Sequence, residues 1–248
     1  MRAMVLAAGL GTRLRPLTER RPKALVEVAG RTLLDITLAR LRSFGIRDVI
    51  VNVHHFADLM LEYLKVNRNF GMKVAVSHED ILLDTGGGLK KAAWFFREGK
   101  SGEPFLLHNV DILSNIDLAA MIEAHKGSEA LATLAVQDRK SSRHLLFDEN
   151  EYLCGRSMSN KPDEVVRTVP EMQALAFCGV HVISPRFLTM MQGDGVFSIV
   201  NSYLVAAMQG ERISAFRADR YYWRDLGRPE QIQRANEDVR QRKVLLPR

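Results

Sequence analysis

Close to its start the chain reads Met4-Val-Leu-Ala-Ala-Gly-Leu-Gly-Thr-Arg-Leu-Arg, and a little later Pro22-Lys23-Ala24-Leu25. Gly9 and Gly11 remove side chains where a backbone must turn, and the successive N–H groups of such a turn form a concave donor site for the oxygens of an anion. Thr12 adds a hydroxyl; Arg13, Arg15 and Lys23 add positive charge. Arg forks onto a phosphate whereas Lys acts as a movable point charge, so the mixture suits a polyphosphate whose charge distribution changes during reaction. Two other phosphate-binding patterns are excluded. G-x-G-x-x-G would need a glycine where Leu14 stands, and G-x-x-x-x-G-K-[ST] is met nowhere in the chain. Two further places carry candidate chemistry. Asp111 follows the apolar run Pro104 to Leu107, and a carboxylate at the carboxyl end of a central strand lies where doubly wound sheets bind ligands. Gly86, Gly87 and Gly88 precede a helical run from Leu89 to Phe96 and permit close backbone approach at its start. His54 and His55, just past a strand, are read as solvated or supporting residues rather than ligands.

The longer string Leu6-Ala-Ala-Gly-x-Gly-Thr-Arg-Leu-x-Pro-Leu-Thr, with Pro22-Lys23-Ala24-Leu25 after it, resembles the signature of the sugar-1-phosphate nucleotidyltransferases, which join a nucleoside triphosphate to a sugar 1-phosphate. The resemblance implies a nucleotide site made by Leu6, Ala7, Ala8, Gly9, Gly11, Thr12, Arg13 and Lys23. Asp84-Thr85-Gly86-Gly87 is similar to the family's L-G-T-A-G segment, whose backbone contacts the nucleobase, and Glu79 stands about where the family reads the base edge. Asp111 matches the aspartate that ligates Mg²⁺ after an N-G-D-like segment, with Val110 in place of the usual glycine. Asp225, in Trp223-Arg-Asp-Leu-Gly, resembles the second metal ligand of the family's W-x-D-x-G. Arg13, Lys23 and Asp111 are thereby the implied catalytic residues. On the sugar-phosphate side stand Asp225, Gly179 in mid-strand, Lys161 in an Asn-Lys-Pro similar to the family's Glu-Lys-Pro, and Arg143 as the other basic candidate. Lys140 is expected on a solvated surface. Within the family the short chain and the Asp-Thr-Gly-Gly-Gly string are most similar to small uridylyltransferases acting on N-acetylmuramic acid 1-phosphate. Guanylyltransferases for mannose or heptose phosphates, choline-phosphate cytidylyltransferases and a catalytically silent nucleotide-sugar sensor are the alternatives.

These residues must be held by a regular frame. Apolar runs at 4–8, 49–53, 73–77 and 104–107 alternate with helical patterns at Leu33 to Phe44 and Ala57 to Leu64, which implies right-handed βαβ crossovers and a parallel sheet. Asp117 is placed to cap a helix from Leu118 to His125. From Ala130 the pattern turns antiparallel, with strands over 130–137 and 175–183 and a hairpin over 144–154; residues 156–171 are expected as a loop. Helices over 197–208 and 229–240 and a strand over 212–217 complete the frame. The fold expected is α/β, a Rossmann-like doubly wound mostly parallel sheet with a small antiparallel sugar-binding part. Residues 1–128 would be mainly nucleotide-binding, 129–227 mainly sugar-phosphate-binding, and 228–248 a C-terminal helix.

Composition narrows the class. A chain of 248 residues with 46% hydrophobic content can bury a large core. No apolar run approaches the roughly 20 residues needed to cross a bilayer, and the first residues read as strand rather than a cleavable leader, so a cytoplasmic protein without a membrane partner is expected. Cys154 and Cys178 are too few for a disulfide framework. The net charge of +6 is partly the cluster of residues 13–23, which a basic pocket for a small anion explains without nucleic acid. A monomer or small homo-oligomer is expected, and no hexapeptide repeat follows residue 227.

Overall fold

The computed structural model describes residues 1–97 and 102–247. Its organising strand is the first, Arg2–Leu6, which lies between Phe105–Asn109 and Asp48–Val53 and is parallel to both; Lys73–His78 extends the sheet beyond Asp48–Val53. Side chains alternate across such a strand, so Ala3 and Val5 enter one hydrophobic cluster and Met4 the other, and all three are fully buried. The first cluster lies under the helices Leu33–Ser43 and Pro229–Arg240, the second under Asp84–Lys91, Ala93–Arg97 and Ile199–Met208. This is a mixed α/β architecture with the sheet covered on both faces, as the alternation of apolar runs and helical patterns requires.

The other half hangs on one long strand, Gln173–Ile183. Its last residues pair antiparallel with Phe105–Asn109 and Ala132–Gln137, and its first with Arg143–Phe147. Arg143–Phe147 in turn pairs with Leu153–Met158, while Ile213–Arg217 runs parallel to Ala132–Gln137. A register shift between Phe177 and His181, with Gly179 at φ +72°, lets the strand serve both sets of neighbours. Within 156–171, expected as a loop, residues 156–158 belong to a strand and Glu164–Val165 pairs against Gly155 and Arg156. A Cβ on Gly155 would come within 2.3 Å of the Glu164 carbonyl, so the glycine allows that edge to close.

Local signals hold elsewhere. Thr32 accepts from the Asp35 amide at 3.1 Å to start the helix Leu33–Ser43, and Gly45 at φ +79° follows its end. Asp117 accepts from the Ala120 amide at 3.0 Å and caps Leu118–Ser128. Both cysteines are free and buried.

Candidate active site

The loop after the first strand opens at the carboxyl edge of the sheet. Gly11 has φ +64°, and a Cβ there would meet Thr18 Cγ2 at 3.0 Å and Lys23 Cβ at 3.1 Å. The loop is thus drawn tightly against Thr18, whose hydroxyl donates to the Gly11 carbonyl at 2.8 Å. Among the described residues the amides of Gly9, Leu10 and Gly11 have no acceptor, as a donor cradle requires. The amides of Ala7 and Ala8 are engaged: both donate to Asn52 Oδ1, at 2.6 and 3.3 Å. Leu6 is half-buried, with its carbonyl accepting from Val110 at 3.1 Å, while Thr12 and Arg13 are exposed at the loop's tip.

Two aspartates distant in sequence meet beside this loop. Ile112–Ser114 and Trp223–Asp225 form a two-stranded antiparallel ladder in which Asp225 lies opposite Ile112, and the Leu226 amide donates to the Asp111 carbonyl at 2.8 Å. Lys23 places its ammonium on Asp111 Oδ2. A Cβ on Gly227 would come within 2.7 Å of Asp225 Oδ1 and 2.9 Å of Arg13 Nη2, so Arg13 and Asp225 face the same narrow space. The buried Arg40 donates to the carbonyls of Ser114 and Ile116, fixing the end of the strand Ile112–Ser114 that follows Asp111; burial holds its pKa down at about 10. Among the described residues no group of three or more His, Cys, Asp or Glu side chains could hold a metal. A pair of hard carboxylates suits Mg²⁺ nonetheless, because that ion is commonly bound through one or two carboxylates with substrate phosphates completing its shell.

The base segment differs from expectation. Gly86, Gly87 and Gly88 lie inside the helix Asp84–Lys91 rather than ahead of it, and all three are buried. Gly86 and Gly87 donate their amides to the Phe197 carbonyl, at 2.9 and 3.2 Å. A Cβ on Gly86 would strike the Phe197 ring at 2.5 Å, one on Gly87 the Gly195 carbonyl at 2.2 Å, and one on Gly88 Glu79 Oε1 at 2.7 Å. Gly86 and Gly87 serve helix packing against the segment 193–197, and Gly88 makes room for Glu79 and Asn52. Glu79 also points inward: it is 1% exposed, with Oε1 accepting from Asn52 Nδ2 at 2.7 Å and Oε2 from the Leu83 amide at 3.0 Å. Asn52 therefore bridges the anion loop to the base segment. Thr85 Oγ1 accepts from the Ile199 amide at 3.0 Å, at the start of Ile199–Met208.

Beside Asp225 a cavity of about 290 Å³ is lined by Arg13, Arg139, Lys140, Trp223, Asp225 and Arg228 among others. Lys140 is exposed, as expected, and stands at the rim of this cavity, on the turn after Ala132–Gln137. Arg139 lies 3.7 Å over the Trp223 ring and donates to the Phe177 carbonyl at 2.8 Å; its burial lowers the guanidinium pKa. Trp223 is fixed by its indole N–H, which donates to the Cys178 carbonyl at 2.8 Å. Gly179 does not line the cavity; a Cβ there would come within 2.9 Å of Asn109 Nδ2, so the glycine lets its strand pack against the end of Phe105–Asn109. Arg143 and Lys161 are exposed and do not line the cavity. Asn52, Arg40, Arg139 and Arg228 escaped the sequence reading. Only Asn52 left a signal, a polar residue within the apolar run Val49-Ile-Val-Asn-Val.

A glycine loop at the end of a parallel sheet, with two carboxylates and two cations converging beside it, is an arrangement suited to a polyphosphate. A family model described as nucleotidyl transferase matches residues 2–242, and the chain belongs to that family. It is similar to an N-acetylmuramate alpha-1-phosphate uridylyltransferase of Caulobacter vibrioides, at 36% identity over 92% of this chain and 92% of that protein. It is also similar to the mannose-1-phosphate guanylyltransferase catalytic subunit beta of Dictyostelium discoideum, at 27% identity over 93% of this chain and 62% of that protein. The solved structure of a putative glucose-1-phosphate thymidylyltransferase from Bacillus anthracis in complex with a sucrose shares the fold, with a TM-score of 0.80, 16% identity, and coverage of 97% of this chain and 95% of that one.

Proposed function

We propose that this chain catalyses Mg²⁺-dependent transfer of a nucleotidyl group, by preference uridylyl, from a nucleoside triphosphate to a sugar 1-phosphate. The observation that carries the reading is the convergence of Asp111, Asp225, Lys23 and Arg13 beside the glycine loop. A phosphate oxygen of the acceptor attacks the α-phosphorus in line; the bond from that phosphorus to the bridging oxygen breaks, and pyrophosphate leaves without a covalent enzyme intermediate. The loop amides and Arg13 hold the β- and γ-phosphates and stabilise the charge that grows on the departing pyrophosphate. Lys23 lies against the reacting phosphates, and Asp111 and Asp225 would hold the metal. When bound, Mg²⁺ would supply charge neutralisation at the phosphates.

The position of Glu79 bears on the base preference. A carboxylate on the base edge would accept well from the N1–H and N2–H₂ edge of guanine, whereas uracil offers a single imide donor between two carbonyls. Because Glu79 is 1% exposed and bonded to Asn52 and the Leu83 amide, it offers no free carboxylate edge to a guanine. The similarity to the Caulobacter uridylyltransferase is also higher than that to the guanylyltransferase. Pyrophosphate release measured with Mg²⁺ and each of the four nucleoside triphosphates, against a panel of sugar 1-phosphates, tests the reading. UTP is expected to give the highest kcat/KM, and GTP exceeding UTP by more than about tenfold would reassign the base.

A further inference from the structure

The cavity beside Asp225 holds more positive charge than an acceptor with one phosphate group needs. Five basic residues line it, Arg13, Arg139, Lys140, Arg224 and Arg228, against the single carboxylate of Asp225. Three of the five have other work. Arg224 donates to Asp238 Oδ2 at 2.5 Å and to Gln231 Oε1 at 2.8 Å, which ties the Trp223–Asp225 strand to the C-terminal helix. Arg139 is flattened on Trp223 and bonded to the Phe177 carbonyl. Arg13 faces the corner shared by Asp225 and Gly227. Lys140 has no ion-pair partner among the described residues, and Arg228 has only Glu230 at 3.8 Å, with both side chains more than half exposed. An exposed pair at that distance is weakly held. These two cations come from different elements, the turn after Ala132–Gln137 and the residue that precedes the helix Pro229–Arg240, and face one cavity.

We propose that the acceptor sugar carries a second oxyanion besides its 1-phosphate, and that Lys140 and Arg228 form the subsite that holds it. The proposal rests on the nucleotidyl-transfer reading and narrows its acceptor to doubly anionic sugar phosphates. A guanidinium fork beside an ammonium accepts either a carboxylate or a phosphate. N-acetylmuramate 1-phosphate supplies the first and glucose 1,6-bisphosphate the second, while N-acetylglucosamine 1-phosphate supplies neither.

Calorimetric binding of these three compounds to the full chain, with pyrophosphate release measured in parallel, tests the subsite. At least one doubly anionic compound is expected to bind roughly 30-fold or more tighter than N-acetylglucosamine 1-phosphate, the gain of one charge-assisted contact pair, and the better of the two identifies the oxyanion. In Lys140→Gln/Arg228→Gln that preference is expected to fall below about fivefold. Arg47→Gln, an exposed residue outside the cavity, should keep it, and Lys140→Arg, which conserves the charge, should keep most of it. Circular dichroism confirms that each variant is folded. Equal binding of all three compounds by the unaltered protein, or a preference that survives the double substitution, overturns the subsite. Rapid pyrophosphate release with singly anionic acceptors and no preference would sink the subsite and leave nucleotidyl transfer standing. A preference that Lys140 and Arg228 control, without pyrophosphate release from any triphosphate, would support the subsite and sink the transfer reading.

Discussion

Asp111 and Asp225 are brought together by a short ladder, and each offers an oxygen that no neutral residue replaces. Asp111→Asn and Asp225→Asn are each expected to abolish turnover with the fold retained, because an amide is a poor ligand for a hard divalent ion, and in the first case the charge beneath Lys23 is lost as well. Pyrophosphate release within about tenfold of the unaltered enzyme, roughly 1.4 kcal/mol of barrier, would remove either residue from the metal site. Arg13→Ala is expected to slow the reaction by about 10²-fold or more, since a clamp already in place stabilises developing charge without reorganisation. Lys65→Ala, on the exposed side of the helix Ala57–Val66, provides the comparison. Equal, small effects of the two would mean that the glycine loop does not hold the triphosphate.

At the scale of elements, glycines within helices have opposite consequences according to their neighbours. Alanine is the better helix former by about 1 kcal/mol, so space decides the sign. In Gly87→Ala the new methyl would lie 2.2 Å from the Gly195 carbonyl, a backbone atom that cannot rotate away. The helix Asp84–Lys91 must then shift against the segment 193–197, and a net loss of about 1–3 kcal/mol is expected in urea unfolding, with a raised KM for the triphosphate. Gly127→Ala, in the exposed turn of Leu118–Ser128 where nothing lies within 4 Å, should instead gain up to about 1 kcal/mol. The reverse order of the two would show that the helix and that segment do not pack as described.

Across the whole molecule, three histidines are buried neutral in the core. His108 and His125 have pKa values lowered to about 4 and His181 to about 3, in each case chiefly because burial disfavours the charged ring. His181 is fixed by the Tyr203 hydroxyl at 2.7 Å, and His125 by Thr133 and Ser184 at 2.9 and 3.0 Å. Since the folded values lie below the unfolded value near 6.5, the unfolded chain binds more protons between pH 6.5 and 4. Stability therefore rises with pH through that window, is fully present above it, and is lost as acid charges the rings. Thermal melts are expected to show Tm nearly constant above pH 7 and falling steeply from pH 6.5 to 4.5, with a shallower fall in His125→Asn. An unchanged slope in that variant would mean that His125 is not held neutral.

The sequence by itself determined the parallel half and the glycine turn after its first strand, because both are written locally. A strand buried on two faces must be an unbroken apolar run, and the turn after it needs Gly11 where φ is positive. The helix starts at Thr32 and Asp117 were legible for the same reason: a cap and the amide it satisfies lie within one turn. The tertiary structure alone decided what distant residues do to one another. Trp223-Arg-Asp is too short to show a period, and becomes a strand only because Ile112–Ser114 offers it a partner. Glu79 reads as a base contact until the fold buries it against Asn52 and the Leu83 amide, and Gly86 and Gly87 read as a ligand turn until residues 193–197 pack against them. Lys140 is the surface residue that the sequence implies, but only the fold shows that it shares a cavity with Trp223 and Arg228. Hydrogen-bond partners and excluded volume far along the chain set each of these roles, and no local pattern encodes them.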